Sequence, residues 1–239
     1  MTPPPANAPR LVWCLGMYAS ASTWLFNAVQ QMAAHQAPVQ TMFVAGAADI
    51  PQWRAPDRIS IVKSHEITDP DTIAALSRYA TNIIVSIRDP RDAVTSLMTY
   101  HGYEFGRALD HVDAASRLCL PFAADRRALT LPYETRFFET PETLARLAAF
   151  LNLTPSATAQ TAIFRNLRRA EIEKHIAGMP QRPGTLHEPI SGDMLDPNTH
   201  WHTHHAGRNG EIGRWRRHLT TAQAGQVATR LAGCFDLSE

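Results

Sequence analysis

Short apolar runs alternate with longer amphipathic stretches along this chain. Runs of strand length fall at 10–15, 39–44, 59–62, 82–87 and 128–133, and several are apolar at nearly every position, as in strands covered on both faces. Between them, apolar residues recur at helical spacing over 23–35, 71–79, 90–100, 111–125 and 141–151. Strands alternating with helices predict βαβ units, hence an α/β fold of three layers with a mostly parallel central sheet flanked by helices. Beyond 151 the pattern loosens. Residues 155–173 read as helical in one or two pieces, and 176–207, rich in Pro, Gly, His and Asp, as a long functional loop. A last helix at 221–231 is expected on the sheet edge. Residues 1–9, proline-rich with no basic start and no apolar stretch, read as a flexible leader before a single domain over 10–239.

Composition narrows the function. The 239 residues, 44% hydrophobic, suffice for one substantial core. A formal net charge of +1 gives no global field for nucleic acid or an anionic membrane, so any anion site must be local. No run reaches the roughly 18 apolar residues of a membrane span. Cys14, Cys119 and Cys234 are far apart and show neither a disulfide framework nor metal spacing, so a soluble protein of the reducing cytoplasm is expected. Lys63 and Lys174 are the sole lysines; arginine supplies every other permanent side-chain cation.

In a parallel sheet, ligands gather beyond the carboxyl ends of the strands, which directs attention to 16–23, 63–66, 88–92 and 133–135. After the first strand, Gly16 opens a small-residue loop, Met17-Tyr18-Ala19-Ser20-Ala21-Ser22-Thr23, that runs into a helix beginning near Trp24. A strand, a tight turn and a helix start aim backbone N–H groups at one spot and suit a phosphate or sulfate. Gly16 and Thr23 fit a nucleoside-triphosphate P-loop, but Ala21 replaces its second glycine and Ser22 its lysine. The fold is therefore P-loop-like without the means to split a γ-phosphate. Lys63-Ser64-His65-Glu66 presents a cation, an imidazole and a carboxylate at the end of the third strand, while Arg88 hangs over the end of the fourth. Asp89 and Pro90 start the next helix, which carries Ser96 on the face of Asp92; arginine plus hydroxyl makes a phosphate clamp. Arg208-Asn209-Gly210 begins a glycine-flanked turn that ends at Trp215.

These pieces, in this order, resemble the cytosolic-type sulfotransferases that use 3′-phosphoadenosine 5′-phosphosulfate (PAPS). The family's 5′-phosphosulfate loop is similar to Tyr18 through Trp24, its K-T-H segment to Lys63-Ser64-His65, and its 3′-phosphate signature to Arg88 through Ser96. Its Y-E-D segment is similar to Tyr133-Glu134-Thr135, and its R-K-G-x-x-G-D-W segment to Arg208 through Trp215. The resemblance covers about residues 10 to 220.

It implies sulfuryl transfer from PAPS to a hydroxyl or amine of a small-molecule or glycan acceptor, with no metal and no nucleic-acid or membrane partner. Ser20, Ala21, Ser22 and Thr23 would hold the 5′-phosphosulfate. Trp24 would stack on adenine with Tyr133 beside it, and Phe164 would pack there too. Arg88, Ser96, Arg208, Asn209 and Gly210 would bind the 3′-phosphate. His65 would be the base and Lys63 the catalytic cation, with Glu66 the rival base. Met17, the segment after Tyr100 and the 176–207 loop would form the acceptor pocket.

Three positions depart from the family pattern. Ala19 stands where the loop carries a cation, Ala21 where it carries glycine, and Asn209 where a basic residue is usual. A nucleotide-binding protein with little catalysis and a P-loop small-molecule kinase are the rival readings. The run His200-Trp201-His202-Thr203-His204-His205 has no Cys or acidic ligand at a recognised spacing, which favours a polar lid or acceptor-contacting loop over a metal site.

Overall fold

The computed structural model describes residues 10–47, 49, 57–187, 192–206, 210–232 and 235; the leader at 1–9 and Cys234 lie outside them. Five strands, β1 (Arg10–Gly16), β2 (Val39–Phe43), β3 (Ile59–Ser64), β4 (Ala80–Ile87) and β5 (Ala128–Pro132), form one sheet in the order β2-β3-β1-β4-β5. Every pairing is parallel. The flanking helices are α1 (Ser22–Ala33), α2 (Pro70–Tyr79), α3 (Pro90–Tyr100), α4 (Phe105–Ala123), α5 (Glu142–Phe150), α6 (Ala157–Asn166), α7 (Arg169–Ala177), α8 (Trp215–His218) and α9 (Thr221–Arg230). A two-stranded ribbon, β6 (Leu186–His187) with β7 (Met194–Leu195), precedes α8. The α/β class and the parallel three-layer plan are those the alternating pattern predicts.

Period-two alternation sorts the sheet's side chains into two cores. Val12, Cys14, Ile61, Ile84 and Leu131 face α1, α5 and α6, while Leu11, Trp13, Leu15, Ile83 and Val85 face the layer of α3 and α4. Both sets are buried, which is why the strands read as continuous apolar runs. Register then decides where chemistry gathers. Leu15 pairs with Ser64 on β3, and Gly16 with Ser86 on β4, so the segments that leave β1, β3 and β4 emerge side by side.

Local signals set most helix starts. Asp69 accepts from Thr72 N at 3.0 Å and Asp89 from Arg91 N at 2.8 Å, each followed by a proline in the first turn, and each cap is worth about 1 kcal/mol. Two expectations are revised. α4 begins at Phe105, ahead of the expected 111, because Ala108 and Leu109 add a buried turn that Gly106 obscures in the sequence. α9 packs on α3 and α4 in the outer layer, with Val227 in the core, and not on the sheet edge. The stretch 155–173 resolves into α6 and α7. Among the described residues, no helix is long and apolar enough to cross a membrane.

Candidate active site

The turn from β1 into α1 is held by backbone geometry. A Cβ on Gly16 would stand 2.4 Å from Ser22 Cβ and 2.6 Å from Ser86 Oγ, so the returning loop leaves room only for glycine. Ala19 (φ 56) and Ala21 (φ 61) both adopt the left-handed conformation, at a cost of about 1–2 kcal/mol per alanine. The sequence already marks Ala21 as a position where glycine would fit without strain. Between the two alanines, Ser20 is turned inward: its hydroxyl donates to Met17 O at 2.7 Å and bonds Ser86 Oγ at 2.8 Å. Its side chain therefore braces the loop, and only its backbone can serve a ligand. α1 opens with no side-chain cap and no acidic residue in its first turn, which leaves its N–H groups and dipole for an anion.

Lys63 is buried at the end of β3, where Nζ donates to Thr23 Oγ1 at 2.7 Å. Thr23 accepts this bond, so its own proton remains available to a second acceptor. Burial pulls the Lys63 ammonium down to about 7, so near neutrality it titrates readily. His65 places Nδ1 2.7 Å from the Gly16 carbonyl. A carbonyl only accepts, so Nδ1 carries the proton and Nε2 keeps its lone pair. Burial and the charge of Lys63 push this imidazole down to about 3, so it stays neutral at ordinary pH. Glu66 takes a different course: its carboxylate bonds His111 Nδ1 at 2.9 Å and interacts with Tyr18, whose ring stacks on His65 at 5.0 Å.

Arg88 ties the strand ends together. It donates to Ala19 O and to Glu211 O, both at 2.9 Å, and its guanidinium lies 4.1 Å from the centroid of the Tyr133 ring. Its buried Nε has no partner among the described residues. Asp92, 3.6 Å from Arg88, accepts from Gly213 N at 2.7 Å and Trp215 N at 2.9 Å, and so anchors the turn before α8. Asp89 and Glu134 do the same for the segment after β5, through Asp89 N to Glu134 Oε1 at 2.8 Å.

One cavity of ≈ 810 Å³ joins these parts. Ala21, Ser22, Thr23, Trp24, Lys63 and His65 line it from the β1 and β3 side. Arg88, Ser96, Tyr133 and Gly210 line it from the β4 and β5 side, and Phe164 is among the lining residues on α6. Trp24 is fixed there by Nε1 donating to Leu167 O at 3.0 Å. Arg208 and Asn209 lie outside the described residues. Met17 does not line the cavity: it is fully buried against Ser116, and Tyr18 takes its place.

Sequence reasoning did not place Phe43, Arg168, Arg169 or Arg214 in this wall. Phe43 ends a strand whose fate the sequence marks only as apolar. Arg168 and Arg169 sit at the start of α7 with no motif, and Arg214 lies within the Arg208–Trp215 segment at a position given no role. The 192–206 loop forms the far wall with His200, His202, His204 and His205, and Asn27 Nδ2 ties it to α1 by donating to Thr23 O and to Thr199 O. Burial, with Lys63 and His202, brings His200 down to about 4.

No family model and no curated protein sequence matches this chain. Solved structures do. Mouse sulfotransferase SULT7A1 complexed with PAP superposes with a TM-score of 0.63 at 14% identity, over 95% of this chain and 83% of that one. Retinol dehydratase in complex with androsterone and the inactive cofactor PAP gives 0.62 at 14% identity, over 95% and 81%. The chain has the sulfotransferase fold.

Proposed function

We propose that this protein transfers a sulfuryl group from PAPS to a hydroxyl or amine of a small-molecule acceptor, with release of adenosine 3′,5′-bisphosphate (PAP). The observation that carries the reading is the meeting of Lys63, seated on Thr23 at an uncapped helix start, with a neutral His65 in one cavity. Neighbours of the same fold were solved with PAP, and one of them with androsterone, which supports a nucleotide donor and a small acceptor.

The residues present fit such a donor. First-turn N–H groups of α1 and the hydroxyls of Ser22 and Thr23 would hold the 5′-phosphosulfate. Trp24, Tyr133 and Phe164 offer aromatic surface to adenine. Arg88, with an unused buried Nε, and Ser96 would take the 3′-phosphate together with Arg208, Asn209 and Gly210. His65 Nε2 would accept the proton of the acceptor as its oxygen or nitrogen bonds to sulfur and the sulfur–oxygen bond to the 5′-phosphate breaks. Lys63 would face the departing phosphate oxygen and stabilise its charge. Because Ala19 contributes no cation, Lys63 bears this role alone.

Calorimetry with PAP against ADP, followed by transfer assays over phenols, alcohols and amines, tests the reading. PAP binding selective over ADP and transfer to at least one acceptor class are expected. PAP binding without transfer would turn the reading to a nucleotide-binding protein, which Ala19 favours. Magnesium-dependent ATP consumption would turn it to a kinase. Ala19→Arg is expected to raise turnover, and no gain would show that Lys63 leaves no charge deficit.

A further inference from the structure

The far wall of the cavity holds a second convergence of side chains. Asp193 Oδ2 stands 2.7 Å from His202 Nδ1 and 3.1 Å from His204 Nδ1, and the three ligand atoms all lie within 4.8 Å of one another. The carboxylate's other oxygen, Oδ1, accepts the Thr203 hydroxyl, which in turn accepts from Met194 N at 3.1 Å. The backbone beneath is braced by the Leu195–His202 bridge and by His202 N donating to His205 Nδ1 at 3.0 Å. His202 and His204 both line the cavity, and all three residues are half-buried.

This is the donor set, two imidazoles and a carboxylate, that zinc takes where one position is left for water or substrate. Ligand atoms around a tetrahedral zinc with bonds of about 2.0–2.1 Å stand roughly 3.4 Å apart, so a cation needs the two Asp193–histidine separations of 2.7 and 3.1 Å to open by less than about 1 Å. Each neutral imidazole would shift its proton from Nδ1 to Nε2 and bind through Nδ1, with no proton lost. Thr203 and Met194 would hold the carboxylate from behind, the outer support that such ligands need.

We propose that Asp193, His202 and His204 bind Zn²⁺ on the wall of the cavity, with the fourth position left to a cavity water or to an oxygen of the acceptor. The expectation of no metal rested on the lack of an acidic ligand at a recognised spacing; the loop supplies Asp193 from nine and eleven residues upstream. Only the acceptor's part rests on the sulfuryl-transfer reading.

The test uses the untagged full chain, stripped with a chelator and reloaded with Zn²⁺, its metal content measured by mass spectrometry and its affinity by competition with a chromogenic chelator. About one zinc per chain is expected. Asp193→Asn and His204→Ala should each weaken binding more than about 100-fold, while His35→Ala and His187→Ala leave it unchanged. Co²⁺ in the unaltered chain should give the intense visible bands of a four-coordinate ion, a readout independent of whether any variant folds. Zinc below stoichiometry, or stoichiometric zinc that survives both ligand substitutions, overturns the site. Zinc bound without PAP would overturn the transfer reading and uphold this site; PAP bound and sulfuryl transfer without zinc would do the reverse.

Discussion

The two walls of the cavity are built on opposite principles. The wall formed by the β1 loop and the starts of α1 and α3 is made chiefly of main chain: a glycine that permits close approach, two left-handed alanines, an α1 start without a side-chain cap and an α3 start fixed by Asp89. The wall formed by 192–206 is made of side chains that reach across the molecule, with Asn27 holding Thr199 and Asp193 gathering two histidines. A wall of amides recognises charge and shape and tolerates little change in backbone. A wall of imidazoles on a long loop can be respecified residue by residue.

The largest effect that would sharpen this contrast is expected at Lys63. Lys63→Met should lower turnover by roughly 100- to 1000-fold, or about 2.7–4 kcal/mol, and change PAP affinity far less. Steady-state kinetics beside calorimetry decides it, and equal losses in both would make Lys63 a binding residue.

The same side chain sets a pH signature. Burial disfavours its cation in the fold and brings it down to about 7 from an ordinary 10.5. Below pH 7 both states hold the proton and the burial cost is felt in full. Between about 7 and 10.5 the unfolded chain holds more protons, so stability rises with pH. Thermal midpoints of the wild type should climb across that window relative to Lys63→Met, and parallel curves would contradict the burial of a titrating lysine.

Gly16→Ala strikes the main-chain wall directly. Its Cβ has no space against Ser22 and Ser86, and a loss of about 1–3 kcal/mol is expected in urea unfolding. An unchanged midpoint would mean that the loop yields. The smallest effect is expected at Ala21→Gly. Relief of about 1–2 kcal/mol of left-handed strain is partly offset by about 0.4–1 kcal/mol of added freedom in the unfolded chain. A net gain of about 0–1.6 kcal/mol should appear as a higher melting point, and a lower one would show that the alanine methyl packs usefully.

The contrast also explains what could be read in advance. The sheet was legible because strands buried on both faces write unbroken apolar runs, and α3 because Asp89 and Pro90 sit next to the helix they start. The place of Lys63, His65 and Arg88 followed from strand ends alone. The inward turn of the Ser20 hydroxyl onto Met17 O and Ser86 Oγ, and the exchange of Met17 for Tyr18 at the cavity, depend on the loop's backbone and carry no sequence signal. Asp193 was invisible as a partner of His202 and His204, since only the folded loop brings them together. The engagement of Glu66 by His111, which lies on α4 and carries no motif, could not be read from the sequence either.

A buried amine that is half discharged at neutrality has one more consequence. The fixed positive charge of the resting cavity then rests on its arginines, Arg88, Arg168, Arg169 and Arg214, and less on Lys63. An anion settling beside Lys63 would favour its charged form, so part of the counter-charge there would arrive with the guest.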